Sequence, residues 1–166
     1  MPYSTVVKTK RDGIVVLKDG TGSPVTLSVE YEEGNLTFDQ PLADQTVIRD
    51  RGTIANVRKG DDQPITGSFS FYFRQFTDAS NPGSIRDFLV GAGNYSANVS
   101  TGSAAGLPFV EEYCNTISFL VEGTDVGDAK DHEAVFSKCT ASLAFAEGDT
   151  NTWTLSFTCY GGVVYT

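Results

Sequence analysis

The chain has 166 residues, of which 40 % are apolar, and its 21 acidic and 12 basic side chains give a formal net charge of −9. This length and apolar content suffice for one domain with a normal core, without metal or disulfide staples. The acidic surface repels nucleic-acid phosphate and anionic membranes, and no apolar run approaches the ~20 residues of a membrane helix, so the composition argues against tight DNA binding and against membrane binding by this chain alone.

Three short strands are predicted near the N-terminus, over residues 14–17, 25–31 and 36–38, because alternating apolar residues are separated there by Gly-, Asn- and Pro-rich turns. Closing the second turn over 32–35 sets Tyr31 opposite Leu36 and Val29 opposite Phe38. The N-terminus itself becomes charged before any apolar segment of signal-peptide length, so synthesis in the cytoplasm is expected.

Residues 40–62 are predicted to be a long loop, within which 46–58 resemble extended chain broken near Gly52. The next segment, 65–74, alternates with period two, which indicates a strand that is buried on one face. Its apolar face carries Ile65, Phe69, Phe71 and Phe73, and its polar face carries Thr66, Ser68, Ser70 and Tyr72. That polar face carries hydroxyl groups where Lys and Glu are more usual. This composition favours a smooth polar surface that acts as a wall rather than an ordinary solvent-exposed face.

One short helix is predicted over residues 82–90, with Asn81 or Ser80 as its cap and Pro82 in its first turn. Ile85, Phe88 and Leu89 would form its apolar stripe, and Gly91 and Gly93 would end it. Residues 94–112 are rich in Ser, Ala, Gly and Asn without clear periodicity, which predicts a second long loop or an arm that becomes ordered on a partner.

The C-terminal part is predicted to contain a strand from residue 117, a polar turn over 122–132 and a closing hairpin that folds around Asp149. In that hairpin the same face receives four cross-strand pairs: Phe145 with Trp153, Leu143 with Leu155, Ala141 with Phe157, and Cys139 with Cys159. The chain shows no internal repeat and no linker, so a single domain over 1–166 is expected. The predicted fold class is mainly β, with two packed antiparallel sheets, sandwich- or barrel-like, and one short flanking α-helix.

No pattern of catalytic or metal-ligating residues stands out in the sequence, so no enzymatic activity, cofactor or metal site is predicted. His132 is the only histidine and lies in a polar turn, which favours a surface role, and the acids around it lack the spacing of an EF-hand loop. The three cysteines contain no CxxC pair, and Cys139 and Cys159 are expected to be neighbouring, buried and reduced.

The charged segment 50–64 followed by the alternating strand 65–74 resembles the central part of bacteriophage tail tube proteins. The layout of the whole chain is similar to that family as well: short strands, one helix after the central strand, a Gly/Ser/Ala-rich loop and a closing hairpin. The resemblance implies a structural virion protein that forms homohexameric rings, which stack into the tube of the phage tail. The genome would leave through that tube, and other tail proteins would bind at its ends.

A conduit for DNA is expected to expose hydroxyls and carboxylates, because a Lys or Arg lining would bind phosphates. The candidate lumen-facing residues are therefore the polar alternates of two strands: Thr26, Ser28, Glu30, Glu32, Thr66, Ser68 and Ser70. Six copies would carry a formal charge of −54, six times −9. The subunits would therefore repel each other unless basic and acidic side chains pair at their interfaces. The candidate interface residues for that matching are Arg49, Asp50, Arg51, Arg58, Lys59, Asp61 and Asp62. Ordinary solvated loop charges are the alternative interpretation.

A second hypothesis belongs to another functional class: a monomeric β-sandwich that binds carbohydrate, for example, through the loop over 94–112. Self-assembly would favour the tube, whereas a stable monomer would favour the binding module.

Overall fold

The computed structural model describes residues 6–9, 13–18, 26–29, 34–74, 84–90 and 115–166. These residues form mainly strands, together with one short α-helix, α1, and a 3₁₀ turn at Thr124–Val126. The strands are β1 Gly13–Lys18, β2 Thr26–Val29, β3 Thr37–Asp39, β4 Gln45–Asp50, β5 Thr53–Lys59, β6 Ile65–Tyr72, β7 Asn115–Val121, β8 His132–Ala146, β9 Thr152–Cys159 and β10 Val163–Tyr165. The helix α1 spans Ile85–Val90, and no helix within the described ranges is long and apolar enough to cross a membrane.

The strands form two antiparallel sheets, which confirms the predicted fold class. The larger sheet has the order β2-β1-β7-β8-β9-β6-β3, with β10 paired to β8, and the smaller one is the hairpin β4–β5. The 15-residue strand β8 joins the two halves of the large sheet. Its first half pairs with β7 and β10, whereas its second half pairs with β9. The described strands form no closed barrel.

The predicted register of the C-terminal hairpin is confirmed at all four pairs. Cys139, Ala141, Leu143 and Phe145 of β8 lie opposite Cys159, Phe157, Leu155 and Trp153 of β9. β6 then pairs with the other edge of β9, with Phe69 opposite Leu155 and Phe71 opposite Trp153. The apolar residues of three adjacent strands therefore share one face, which we name the core face.

The predicted pairing of the second and third strands is wrong. β2 pairs with β1, where Val29 lies opposite Val15, and β3 pairs with β6, where Phe38 lies opposite Gly67. The two strands therefore occupy opposite edges of the large sheet. β2 thus pairs with the strand that precedes it along the chain, and β3 pairs with the strand β6 that follows the hairpin β4–β5.

The core lies on one face of the large sheet and includes Leu17, Ile117, Phe136, Leu155 and Phe157. Both Phe136 and Cys139 face this core although they are three positions apart, because a β-bulge at Lys138, with φ 55°, changes the alternation along β8. Gly67 lies on the same face, and a Cβ there would be 2.5 Å from the Phe157 ring.

Of the residues expected in the core, Phe69, Phe71 and Leu155 are buried, whereas Leu143 and Trp153 are half-buried and pack against its margin. At this margin Trp153 contacts Phe145 edge to face, with ring centroids 5.1 Å apart. The β8–β9 hairpin extends beyond the core here, which explains why its last pair is not fully covered.

The helix α1 forms where the apolar stripe predicted it, and Phe88 and Leu89 are buried against the sheet. Ser84 caps its first turn, since the backbone N–H of Asp87 donates to Ser84 Oγ at 3.1 Å. The predicted caps Ser80 and Asn81, and the predicted loop over 94–112, lie outside the described residues.

Candidate functional site

The large sheet carries a row of hydroxyl side chains on the face opposite the core, across β3, β6, β9 and the second half of β8. We name this surface the hydroxyl face. None of its members is buried, and they are Thr37, Thr66, Ser68, Ser70, Tyr72, Thr140, Ser142, Thr152, Thr154, Ser156 and Thr158.

The hydroxyl groups line up across the strands because each strand presents the same alternation in register. One row runs Ser142, Ser156, Ser68, Thr37 from β8 to β3. The hydroxyls of Ser70 and Thr154 form a hydrogen bond at 2.9 Å, and those of Thr37 and Ser68 lie 3.3 Å apart. β6, β9 and residues 140–146 contain no charged residue, and β3 adds one carboxylate, Asp39 opposite Thr66, so this wall is polar and carries no cation.

The predicted lumen-facing residues divide into two groups. Thr66, Ser68 and Ser70 lie on the hydroxyl face. Thr26 and Ser28 are exposed on β2, and β1, β7, β8 and β9 lie between β2 and β6 in the sheet order. Glu30 and Glu32 lie outside the described residues. The structure therefore does not bring the two predicted groups together on adjacent strands.

The sequence interpretation missed the contribution of β9 and β8 to this surface. Thr154, Ser156 and Thr158 alternate with Trp153, Leu155 and Phe157 as clearly as the residues of β6 do. The alternation that defines the core face of the hairpin therefore also indicates hydroxyl-bearing residues on the opposite face of both of its strands.

The segment 40–62, expected as a long loop, contains the second sheet. β4 and β5 form a hairpin, Gln45–Lys59, which we name the hairpin arm, and every residue of both strands is exposed. Its turn consists of Arg51 and Gly52, both left-handed, with φ values of 47° and 87°. Two such residues are the geometry of a type I′ turn, whose twist matches that of the flanking strands.

One face of the hairpin arm carries three exposed apolar side chains, beside Arg49 and Lys59. Val47 lies opposite Val57, and Ile54 follows on the same side beyond a β-bulge. The exposed fractions of these three side chains are 42 %, 48 % and 60 %. An isolated two-stranded hairpin is marginally stable in water, so an arm of this composition gains stability from a surface that covers these apolar side chains.

The candidate interface residues lie along the hairpin arm and its root. Arg49, Asp50 and Arg51 are at the tip, and Arg58, Lys59, Asp61 and Asp62 are towards the root. Lys59 Nζ is 2.6 Å from Asp62 Oδ1, in an exposed pair of a kind that contributes ~0–1 kcal/mol. Within the described residues Arg49, Arg51 and Arg58 form no ion pair. Three guanidinium groups on the arm are therefore accessible to carboxylates of another chain.

His132 lies in a cluster of polar side chains with Asp128 and Lys8. Its Nε2 atom lies 3.3 Å from Asp128 Oδ2, and the same carboxylate pairs with Lys8 of the N-terminal segment. The Lys8 ammonium group and the Ala129 backbone N–H lower the pKa of Asp128 well below its usual range. The pKa of Asp131 is also lowered, because the backbone N–H and the hydroxyl of Thr124 donate to its carboxylate. Among the described residues no cluster of His, Cys, Asp and Glu has the arrangement of a metal site.

Comparison by sequence identifies no relative: no protein-family model matches the chain, and no curated protein does.

Comparison by structure finds the same fold in phage-tail-like particles. A chain in the sheath/tube terminator of PVC, an extracellular contractile injection system, matches with a TM-score of 0.61 and 11 % identity, covering 100 % of this chain and 99 % of that one. A chain in the PVC sheath-tube complex matches with a TM-score of 0.56 and 13 % identity, covering 99 % and 92 %. A chain in the tube-terminating cap of the anti-feeding prophage, AFP, matches with a TM-score of 0.56 and 10 % identity, covering 100 % and 95 %. At these identities the likeness establishes a shared fold along the full length of the chain.

Proposed function

We propose that this protein is a structural subunit of a tail-like particle, in which six copies form a ring and the rings stack into a tube. The observation that carries this proposal is the full-length match to chains from sheath, tube and terminator assemblies, which covers both the sheets and the connections between them. In this role the protein is not an enzyme, and its principal partners are further copies of itself and other tail proteins.

The hairpin arm supports the proposal because its composition suits contact with a second copy. Its exposed apolar residues Val47, Ile54 and Val57 would be stabilised by packing against another apolar surface. Its arginines would be stabilised by ion pairs with carboxylates of a neighbouring chain. A second copy supplies such carboxylates, since each chain carries 21 acidic residues against 12 basic ones. Stacked rings of one acidic protein can approach closely only where such pairs offset the repulsion.

The hydroxyl face supports the second half of the proposal, the conduit. A wall of Ser and Thr hydroxyls presents hydrogen-bonding groups to water and offers no cation to hold phosphate. We assign this face to the lumen, with Thr66, Ser68 and Ser70 in its centre. In that position it would let DNA pass in a phage tail, and the genome would be a transient occupant without specific binding.

The proposal is tested by imaging the purified protein in negative stain at high concentration, where six-fold rings and tubes are expected. Exchanging Val47 and Val57 for Asp should leave the circular-dichroism spectrum and melting temperature nearly unchanged but prevent stacking, because buried carboxylates replace the apolar contact. Val126→Asp is the matched control, since Val126 is also exposed but lies in the 3₁₀ turn. A monodisperse monomer under all conditions would contradict the proposal and favour the carbohydrate-binding hypothesis.

A position at the end of a tube is a second candidate, favoured by the matches to a terminator and to a terminating cap. The same images separate the two roles. A tube subunit should polymerise into structures of unlimited length, whereas a terminator should form single rings.

A further inference from the structure

The two cysteines of the C-terminal hairpin are placed for a covalent bond with each other. Cys139 and Cys159 lie directly opposite on β8 and β9, with exposed fractions of 0 % and 1 %. The backbone N–H of Tyr160 donates to the Lys138 carbonyl at 3.3 Å, which makes the cysteines a non-hydrogen-bonded pair. In such pairs the Cα atoms are about 4.5 Å apart, within the range that a disulfide spans.

The pair lies where the regular ladder ends. Beside Cys139 the chain bulges at Lys138, and three residues after Cys159 it reverses at Gly162, which has φ 81°. The Cys159 sulfur lies 3.1 Å and 3.3 Å from the carbonyl oxygens of Ser137 and Gly162, either of which can accept the single thiol proton. A bulge and a glycine turn open more readily than a continuous ladder, so this end of the hairpin gives a small reagent its access to the thiols.

Cys159 also borders a cavity of about 430 Å³ between the β9–β10 turn and the root of the hairpin arm. Gln40, Pro41 and Gln63 line the side of the arm, and Tyr160 and Gly161 line the side of the turn. Cys139 does not line it. The cavity therefore borders one residue of the pair and not the other.

The local hydrogen bonds make the Cys159 thiol more acidic than an ordinary cysteine. A hydrogen bond from the Cys139 thiol, together with backbone N–H groups around Gly161, lowers the pKa of Cys159 to about 7, against burial, which raises it. At neutral pH Cys159 is then present as thiolate to a much greater extent than an ordinary cysteine.

We propose that Cys139 and Cys159 form a redox-active dithiol that closes to a cross-strand disulfide, with Cys159 as the attacking sulfur and a low-molecular-weight disulfide as the oxidant. This chemistry is independent of the proposed tube role, since it needs only the folded β8–β9 hairpin and the cavity.

The reaction takes two exchange steps. The Cys159 thiolate attacks one sulfur of the small disulfide, so a mixed disulfide forms and one small thiolate leaves and takes up a proton. Cys139, once deprotonated, attacks the Cys159 sulfur of the mixed disulfide and releases the second small thiol. The protein loses two electrons and two protons, and the small disulfide gains them as two thiols.

The test uses folded protein with oxidised glutathione as the probe, followed by intact mass and peptide mapping. Cys114 lies outside the described residues, so a Cys114→Ser background removes the third thiol. In this background we expect a product lighter by two hydrogen atoms, with the peptides of Cys139 and Cys159 joined and no glutathione retained. The rate should rise with pH to half its maximum near pH 7, the value to which the pKa of Cys159 is lowered.

Two further variants in that background distinguish the roles of the sulfurs. Cys139→Ser should trap glutathione on Cys159, whereas Cys159→Ser should incorporate glutathione about tenfold more slowly. A purely structural role for both thiols predicts no reaction in the folded protein and reaction after unfolding in urea, and that result would overturn the proposal. Equal rates at the two cysteines would overturn the assignment of Cys159 as the attacking sulfur.

Discussion

The side chain of Phe71 lies on the core face of β6, opposite Trp153 and with its ring centroid 6.0 Å from that of Phe69. Replacing Phe71 with Ala should lower the free energy of unfolding by ~3–5 kcal/mol, because the contacts of the ring are lost and a cavity remains. Urea denaturation measures this change. Phe38→Ala is the matched control, since Phe38 is exposed on the edge strand β3 and should cost clearly less. A loss below about 1 kcal/mol for Phe71→Ala would show that the assignment of the core face in β6 is wrong.

The carboxylate of Asp128 links the N-terminal segment to the turn before β8. Because Lys8 lowers its pKa from 3.8, Asp128 is more acidic in the folded than in the unfolded chain. Its contribution to stability is thus complete above the unfolded pKa and is lost as the pH falls through the lower folded pKa. Lys8→Gln should raise the Asp128 pKa towards 3.8, as followed by carboxyl NMR titration.

Asp131 provides the internal control for that titration. Its pKa is lowered chiefly by donors from Thr124 and not by Lys8. Lys8→Gln should therefore leave the Asp131 titration in place. Parallel shifts at both carboxylates would indicate a general change of the turn over 122–132 and would contradict the specific role of Lys8.

At the level of elements, the sequence predicted the closing hairpin correctly and the pairing of the second strand with the third wrongly. The register of β8 and β9 follows from their own alternation, because a short turn around Asp149 leaves only one arrangement that places Leu143, Leu155 and Phe157 together. β2 and β3 are too short, at 4 and 3 residues, to carry the same information. β2 pairs with β1 and β3 pairs with β6, and segments this short contain no pattern that distinguishes these partners from each other.

The hairpin arm is the element that the sequence predicted least completely. Its extended character and its break near Gly52 were visible, but its strands were not, because exposed Val and Ile alternate there with Arg, Asn and Thr. The structure shows a two-residue turn in which Arg51 adopts a left-handed φ of 47°, a conformation that a branched or long side chain disfavours.

Arg51→Asn should therefore stabilise the hairpin arm, since Asn-Gly is the preferred sequence for this turn. We expect slower amide hydrogen exchange across β4 and β5, by a factor that corresponds to ~0.4–1 kcal/mol. The global melting temperature should stay constant, because the arm is exposed along its whole length. Arg49→Asn, which changes the same charge on β4, is the control. Equal effects of both substitutions would mean that charge and not turn conformation controls the arm.

For the whole molecule, the sequence predicted the chemistry of the candidate surfaces but not their extent. Hydroxyl alternation in one strand pointed to a wall, and the sheet order extends it over β3, β6, β9 and part of β8. The predicted role of Glu30 and Glu32 lies outside the described residues and stays a prediction. The extent of the hydroxyl face depends on which distant strands pair, so no single segment of the sequence shows it. The alternation within each strand, in contrast, is visible in the sequence.

The proposed lumen gives the last prediction, which concerns the assembled particle. Ser156 is exposed in the middle of the hydroxyl face, between Ser142 and Ser68. Ser156→Lys should leave folding and assembly intact, because an exposed strand position tolerates a long polar side chain, yet six copies place a ring of ammonium groups in each layer of the channel. Such tubes should retain DNA at low salt and release it as the salt concentration rises, which filter binding of fluorescent DNA measures.

Ala129→Lys supplies the matched control, because it adds the same charge in the exposed turn before β8, away from the hydroxyl face. It should bind DNA no better than the unmodified tubes. If Ser156→Lys tubes assemble normally and yet leave DNA unbound at low ionic strength, the hydroxyl face lies outside the channel. This polar wall would then be a contact surface between neighbouring subunits, where matched hydroxyl rows would hydrogen-bond across the interface.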